Sequence, residues 1–361
     1  MNKKALALSA LNLKPTPICP VMPHWWGVYK YQLAGIVSGP EDEEKGWMLS
    51  GEKLAKVDIH FYETFKPDIF HLSEGVWREQ PGDVERRRAL GELRPGVVEL
   101  TSKSIIDDYV KYAYPSTEEY LAAGVFDHVR IIAEHYGEDV LILLNQGNPV
   151  CGIFENNGPV GDFNDALIAT VEHPDNLGYL TYKLYEASLT RIDALKAMGA
   201  HGYIGSETCV SCDILSPAAF RSLIAPALGM FYRAVAAKGM EGIVYFLGEI
   251  NPILNDIANL GAKGLMIEEQ KKNFHLDAVD IYRKLDGKMA LFGNVDSVYH
   301  LLHGTTGDVV KETSRQCSQT GPGFIAASGS PLCYDTPKAN IQAMMDTARM
   351  SRGNEYESAN H

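Results

Sequence analysis

The stretch Gly242-Ile-Val-Tyr-Phe-Leu-Gly-Glu249, continued by Ile250-Asn-Pro-Ile-Leu-Asn-Asp256, decides how the rest of the chain is read. Five apolar residues bounded by glycines are too short for a buried helix and fit an interior strand, while Asn251-Pro252 opens a helix with proline in its first turn. Glu249 therefore falls on a strand-to-helix turn. In a parallel sheet such turns gather at the carboxyl ends of the strands, where α/β proteins bind their ligands.

The same unit recurs on both sides of this stretch. Gly202-Tyr-Ile-Gly-Ser-Glu207 leads to a helix opened by Ser216-Pro217, and Gly264-Leu-Met-Ile-Glu-Glu269 ends in two carboxylates. Met289-Ala-Leu-Phe-Gly-Asn-Val-Asp296 ends in Asn294 and Asp296, and Phe324-Ile-Ala-Ala-Ser-Gly-Ser-Pro331 in a polar turn before Thr336-Pro337. Upstream, Asp139-Val-Leu-Ile-Leu-Leu144 is a buried strand ending at Asn145, Pro67-Asp-Ile-Phe-His-Leu72 a strand with His71 near its end, and proline-broken Thr16–Pro23 an extended first strand. Helices are expected at 51–66, 116–136, 163–172, 176–198, 216–238, 251–260, 275–285, 307–319 and 337–351.

Eight strands alternating with helices predict an α/β fold, a distorted (β/α)8 TIM barrel over 51–352. An N-terminal extension, 1–50, carries the first strand and an aromatic segment, its first thirteen residues reading as a short helix or an arm; 353–361 is a polar tail. Right-handed crossovers bring the strand ends to one face. Leu93–Leu100 predicts a hairpin turning at Pro95-Gly96, and the loop Gly152–Gly161, with Glu155, a lid or pocket wall without phosphate-cradle spacing.

The totals narrow the function. A chain of 361 residues, 45% hydrophobic, buries one large core, and a net charge of −13 offers no counterion-releasing surface for nucleic acid. Six cysteines without framework spacing read as reduced thiols of a cytoplasmic protein; Cys209-Val-Ser-Cys212 is either a turn or a lone metal or redox pair. No continuous apolar segment suggests a signal peptide or a membrane span.

Several polar residues carry two readings each. His24-Trp25-Trp26, close to Tyr29 and Tyr31, is a stacking wall for a flat substrate or packing that plugs a barrel end. His71 and His60 are ligand contacts or packed histidines. Glu207, Glu249, Glu268 and Glu269, if they converge, must share protons, pair with a cation or bind a metal, for which Glu207, Glu249, Glu269 and Cys333 are the candidate ligands. Otherwise Glu268 and Glu269 cap the next helix or pair with Lys271 or Lys272, and Asn294 and Asp296 are a capping turn rather than substrate ligands.

Leu215-Ser-Pro-Ala-Ala-Phe220, Gly248 with Pro252-Ile-Leu254, Leu291-Phe-Gly-Asn-Val-Asp296, and Gly329 through Thr336-Pro-Lys-Ala-Asn-Ile341 together resemble the uroporphyrinogen decarboxylase superfamily. The resemblance covers residues 50–352, and the barrel it implies agrees with the strand count. Porphyrinogen decarboxylases carry an arginine-rich N-terminal segment; the matching stretch here, Pro23-His-Trp-Trp-Gly27, has no arginine, and a carboxylate-lined pocket repels a polyanion. Methyltransferases of the superfamily that alkylate coenzyme M hold a thiol-activating zinc with a His-x-Cys pair and a later cysteine. The matching positions here are Tyr245, Leu247 and Ser330, with Cys333 displaced by three residues.

The resemblance therefore implies the corrinoid-dependent branch, similar to ether-cleaving O-demethylase methyltransferases. It implies transfer of a methyl group from a small donor, an aryl methyl ether on account of the aromatic cluster, to Co(I) of a corrinoid (cobalamin) on a separate corrinoid protein. The leaving group needs a proton or a Lewis acid, for which Tyr245, Glu249, Glu207 and Glu268 are the candidate catalytic residues and zinc the candidate ion. His24, Trp25, Trp26, His71, Asn145, Asn294 and Asp296 are the candidate substrate contacts. A decarboxylase of a small organic acid or porphyrinogen-like substrate and a non-catalytic corrinoid- or tetrapyrrole-binding barrel are the alternatives. No nucleic acid or membrane partner is expected, and a homodimer is left open.

Overall fold

The computed structural model describes residues 2–25, 27–73, 98–154, 158–270 and 274–351. Eight parallel strands run in the order β1-β8-β7-β6-β5-β4-β3-β2, a nearly closed (β/α)8 barrel. They are β1 (Val21–Met22), β2 (Ile69–Leu72), β3 (Leu141–Gly147), β4 (Gly202–Glu207), β5 (Glu241–Phe246), β6 (Gly264–Ile267), β7 (Ala290–Val295) and β8 (Phe324–Ser328). Among the described residues β1 is the shortest strand, and its seam with β2 is closed by side chains as much as by backbone. Asp68 N–H donates to the Val21 carbonyl (3.0 Å), Val21 N–H donates to Asp68 Oδ2 (3.1 Å), and Arg349 Nη2 donates to Asp68 Oδ1 (2.9 Å).

Strand side chains alternate, so each strand gives one set to the lumen and one to the helices. Ile69, Leu141, Leu143, Ile204, Ile243, Met266, Ala290, Phe292 and Ile325 fill the lower lumen as one apolar cluster. The next lumen positions up β2, β3, β4 and β5 are His71, Asn145, Ser206 and Tyr245. Polarity thus begins one layer below the carboxyl mouth. The amino end is stoppered by helix α1 (Lys3–Leu11), whose Ala7, Ala10 and Leu11 join the lumen cluster. Lys4 N–H donates to the Asp139 carbonyl (2.8 Å) and Lys3 Nζ to the Pro67 carbonyl (2.9 Å), pinning α1 beneath β3 and β2.

Helices α2 (Val28–Leu33), α3 (Glu43–Trp47) and α4 (Gly51–Phe65) follow β1. Other helices are more broken than their apolar pattern predicts. Residues 116–136 form two helices, Thr117–Ala122 and Asp127–Tyr136, because Gly124 turns the chain at φ +66°. The segment 176–198 divides at Ser188, whose hydroxyl donates back to the Tyr185 carbonyl (2.8 Å). Between Pro217 and Ala237 a π-turn at Phe220–Ile224 accommodates Pro226, which has no N–H to give. Residues 251–260 are a 3-10 turn followed by a short helix, Leu254–Ala258.

Most of the expected hairpin at Leu93–Leu100 lies outside the described residues, and Val98–Leu100 form no strand; Val98 N–H donates to the Pro159 carbonyl (2.5 Å). The expected loop from Gly152 begins instead inside the helix Pro149–Phe154, and Glu155 is outside the described residues. No described helix is long and apolar enough to cross a membrane.

Candidate active site

At the carboxyl mouth, the chain two residues past β1 places His24, which is tied to the end of β8: its N–H donates to Ser328 Oγ (3.0 Å) and its carbonyl accepts from Leu332 N–H (2.8 Å). The His24 ring lies 4.8 Å from that of His71 and 5.0 Å, edge-on, from that of Tyr245. Ser206 Oγ donates to Asn145 Oδ1 (2.8 Å), which leaves the Asn145 amide nitrogen facing His24 Nε2 at 3.5 Å. Strands β2 to β5 and the segment after β1 thereby deliver one continuous polar surface.

Tyr245 carries that surface toward the carboxylates. Its hydroxyl donates to the Gly329 carbonyl (3.0 Å). Burial pushes the phenol well above its ordinary 10, and the nearby Glu269 and Glu268 push it the same way, against a smaller lowering by Ser330. It is therefore a neutral hydrogen-bond donor at any physiological pH. Glu268 is buried just past β6 and accepts from Gly248 N–H (2.5 Å), a glycine whose φ of +98° suits no side-chain-bearing residue well. Glu269 is also buried, and Gly329 presses against it so closely that a Cβ there would lie 2.5 Å from Glu269 Oε2. Asn294 buttresses this loop, donating to the carbonyls of Glu268 (3.0 Å) and Leu276 (2.9 Å), while its own N–H donates to Gln316 Oε1 (3.1 Å).

Behind His71 sits a fully buried ion pair. Lys30 Nζ on α2 reaches Asp58 Oδ1 on α4 (2.7 Å) and donates to Ser73 Oγ (2.5 Å). Burial pushes His71 down to about 3, the Lys30 ammonium adds to the shift, and the Pro23 carbonyl offsets a little of it. His71 therefore faces the lumen as a neutral imidazole.

The structure brings His24, His71, Asn145, Tyr245, Glu268 and Glu269 together, with Asn294 one layer behind. It does not bring in the rest. Ser206 takes the lumen side of β4, so Glu207 points into the helix layer, accepting from Tyr185 OH (2.9 Å) and the Asn148 amide. Burial raises its carboxyl to about 8. Glu249 Oε1 accepts from the N–H and amide of Asn251 (2.7 and 2.8 Å), so its carboxylate serves the local turn. Asp296 caps the next helical turn, accepting from Val298 and Tyr299 N–H (2.8 and 2.6 Å). Trp25 is wholly buried, stacked on Phe61 at 4.4 Å, so it packs the helix layer rather than walling a pocket; Trp26 lies outside the described residues.

The four candidate metal ligands share no centre, and among the described residues no group of three or more His, Cys, Asp or Glu is placed to hold an ion. Tyr245 and Ser330 do meet, as the thiol-activating arrangement requires. A phenol, the leucine at 247 and a hydroxyl nevertheless offer neither thiolate nor imidazole, so these positions do not fit such a zinc. Sequence reading missed Ser206, Gln316 and the Lys30–Asp58 pair. Only Ser206 left a signal, since alternation puts it and Glu207 on opposite faces.

A family model described as Uroporphyrinogen decarboxylase (URO-D) matches residues 2–351, reaching well upstream of the expected start near residue 50. A Methanosarcina barkeri protein named "Methylcobamide:CoM methyltransferase MtaA" is 26% identical over 95% of this chain and 96% of its own length. Its counterpart from M. barkeri strain Fusaro is 25% identical over 62% of each chain. The solved structure of a methyltransferase from Methanosarcina mazei superposes with a TM-score of 0.72 over 99% of both chains at 20% identity, which supports the fold.

Proposed function

This chain belongs to the uroporphyrinogen decarboxylase family, and from that premise we propose that it is a corrinoid-dependent methyltransferase: it takes a methyl group from a small donor, an aryl methyl ether, and passes it to Co(I) of a corrinoid on a separate protein. Similarity over nearly the full length to a methylcobamide:CoM methyltransferase supports the reaction class. The observation that carries the reading is the meeting of the His24, His71 and Tyr245 rings beside Glu268 and Glu269, above an apolar lumen.

Cleaving a methyl ether sends the C–O bonding pair to oxygen, and the departing phenolate must be stabilised as it forms. Tyr245 meets that need as a neutral donor, turning its hydroxyl from the Gly329 carbonyl to the leaving oxygen. Glu268 and Glu269 lie beside Tyr245, and the phenolate takes up its proton from solvent as it leaves the mouth. The rings of His24, His71 and Tyr245, rather than Trp25, which stacks on Phe61 in the helix layer, give an aromatic donor its wall. Asn145, oriented by Ser206, fixes His24 within that wall.

The test incubates the purified chain with reduced cobalamin and a panel of methoxylated aromatics, following cobalt methylation in the visible spectrum and phenol release by chromatography. Methylation with an aryl methyl ether is expected. Failure with every ether, or carbon dioxide release without cobalt, overturns the proposal.

A further inference from the structure

The segment Cys209-Val-Ser-Cys212 plays no part in the proposed chemistry, and the fold gives its first cysteine a neighbour that the C-x-x-C spacing does not suggest. Cys151, in the helix Pro149–Phe154 that follows β3, donates its thiol hydrogen to the Ser206 carbonyl on β4 (3.0 Å). The Thr208 hydroxyl, in the turn after β4, lies 3.1 Å from the Cys151 sulfur and 3.5 Å from that of Cys209. The two cysteine side chains also hydrogen-bond each other. One hydroxyl therefore touches both sulfurs, and the pair meets in the layer between strands and helices rather than in the lumen.

The two thiols differ in the way a thiol–disulfide couple requires. An attacking thiol has to be reached by a reagent, whereas a resolving thiol has only to reach its partner. Cys209 is half-buried and Cys151 is 5% exposed. The hydrogen bond with Cys209, then burial and the Glu207 carboxyl, push the Cys151 thiol well above its ordinary 9, against a lowering by the Thr208 hydroxyl and N–H. Oxidising Cys209 removes the largest of these holds on the proton. Cys212 is drawn elsewhere: its N–H donates to the Glu249 carbonyl (2.7 Å), and burial, with Glu249 and Asp213 nearby, pushes its thiol up to about 11. A thiol so protonated attacks slowly.

We propose that Cys151 and Cys209 are a reversible modification site, closing to an intramolecular disulfide when the chain meets a low-molecular-weight disulfide, with Cys209 reacting first and Cys151 resolving. The Cys209 thiolate attacks one sulfur of the reagent, breaking its S–S bond and expelling one small thiolate. Cys151 then attacks the Cys209 sulfur and breaks the mixed S–S bond, and its proton goes to the second small thiolate as that group leaves. The two protein thiols are oxidised by two electrons in all, and the reagent is reduced to two thiols. The new bond ties the helix after β3 to the turn after β4.

The test exposes the reduced, folded full chain to oxidised glutathione, blocks remaining thiols with iodoacetamide and maps the digested protein by mass spectrometry, with circular dichroism to verify that variants are folded. The wild type is expected to lose two free thiols per chain, to yield a peptide cross-linked between Cys151 and Cys209, and to recover both thiols in dithiothreitol. Cys212→Ser should oxidise as the wild type does. Cys151→Ser should stop at a glutathione adduct on Cys209, and Cys209→Ser should leave Cys151 free. A cross-link between Cys209 and Cys212 overturns the proposal, as does a folded Cys212→Ser variant that forms no disulfide. So does a wild type that keeps all six thiols free. None of these outcomes bears on methyl transfer.

Discussion

Glu207→Gln separates two effects that a buried carboxyl at a strand end can have. With its carboxyl raised from 4.5 to about 8 by burial, the folded chain holds a proton on Glu207 through a range where the unfolded chain has released it. The folded state thus binds more protons at this site between these values, so the contribution of Glu207 to stability falls as pH rises from about 4.5 to about 8 and is flat on either side. At about 1.4 kcal/mol per pH unit, the loss from pH 5 to pH 7 is on the order of 3 kcal/mol. Gln carries no such linkage and keeps an oxygen for the Asn148 amide, while its NH2 can donate to the Tyr185 hydroxyl once that group turns. Urea denaturation at pH 5, 6, 7 and 8 should therefore show Glu207→Gln gaining on wild type by about 3 kcal/mol between pH 5 and 7. Its rate of corrinoid methylation should stay within about twofold, since surface-remote effects on chemistry are small when geometry is kept. A pH-independent stability difference would refute the protonated carboxyl, and a rate loss beyond tenfold in a folded variant would refute its exclusion from the lumen.

Tyr245→Phe removes the donor from the mouth; single-turnover methylation should slow by about 10²–10³, while the lost bond to the Gly329 carbonyl costs only about 1 kcal/mol in denaturation. Lys30→Met strands Asp58 in the interior and should destabilise the fold by about 3–5 kcal/mol, whereas Lys30→Met with Asp58→Leu should recover most of that loss in the same titration. Asp296→Ala loses a helix cap, so its melting curve should report about 1 kcal/mol with the methylation rate unchanged.

The barrel was legible because each strand is a short apolar run closed by a turn, and the glycines at 242, 248 and 264 punctuate the runs cleanly. The site was legible only to the level of strand ends. Which of two neighbours faces the lumen depends on register, and Ser206 took the place that adjacency offered to Glu207. Glu249 and Asp296 answer to backbone N–H groups two or three residues away, a local competition that a list of acidic strand ends does not reveal. The Lys30–Asp58 pair joins positions 28 residues apart through a packing of α2 on α4 that has no short-range pattern. Helix breaks at Gly124 and Ser188 escaped because the apolar periodicity continues across both.

The stopper formed by α1 closes the amino end of the lumen. Under the proposed function, the His24–His71–Tyr245 wall is therefore approached from the carboxyl mouth, which serves as its doorway. Under the proposed reaction a cobalt carrier must stand in that doorway to collect its methyl group, which imposes a sequence: the ether boards first, the carrier follows, and the spent phenol waits for the carrier to step away. Surplus carrier should then obstruct turnover instead of speeding it.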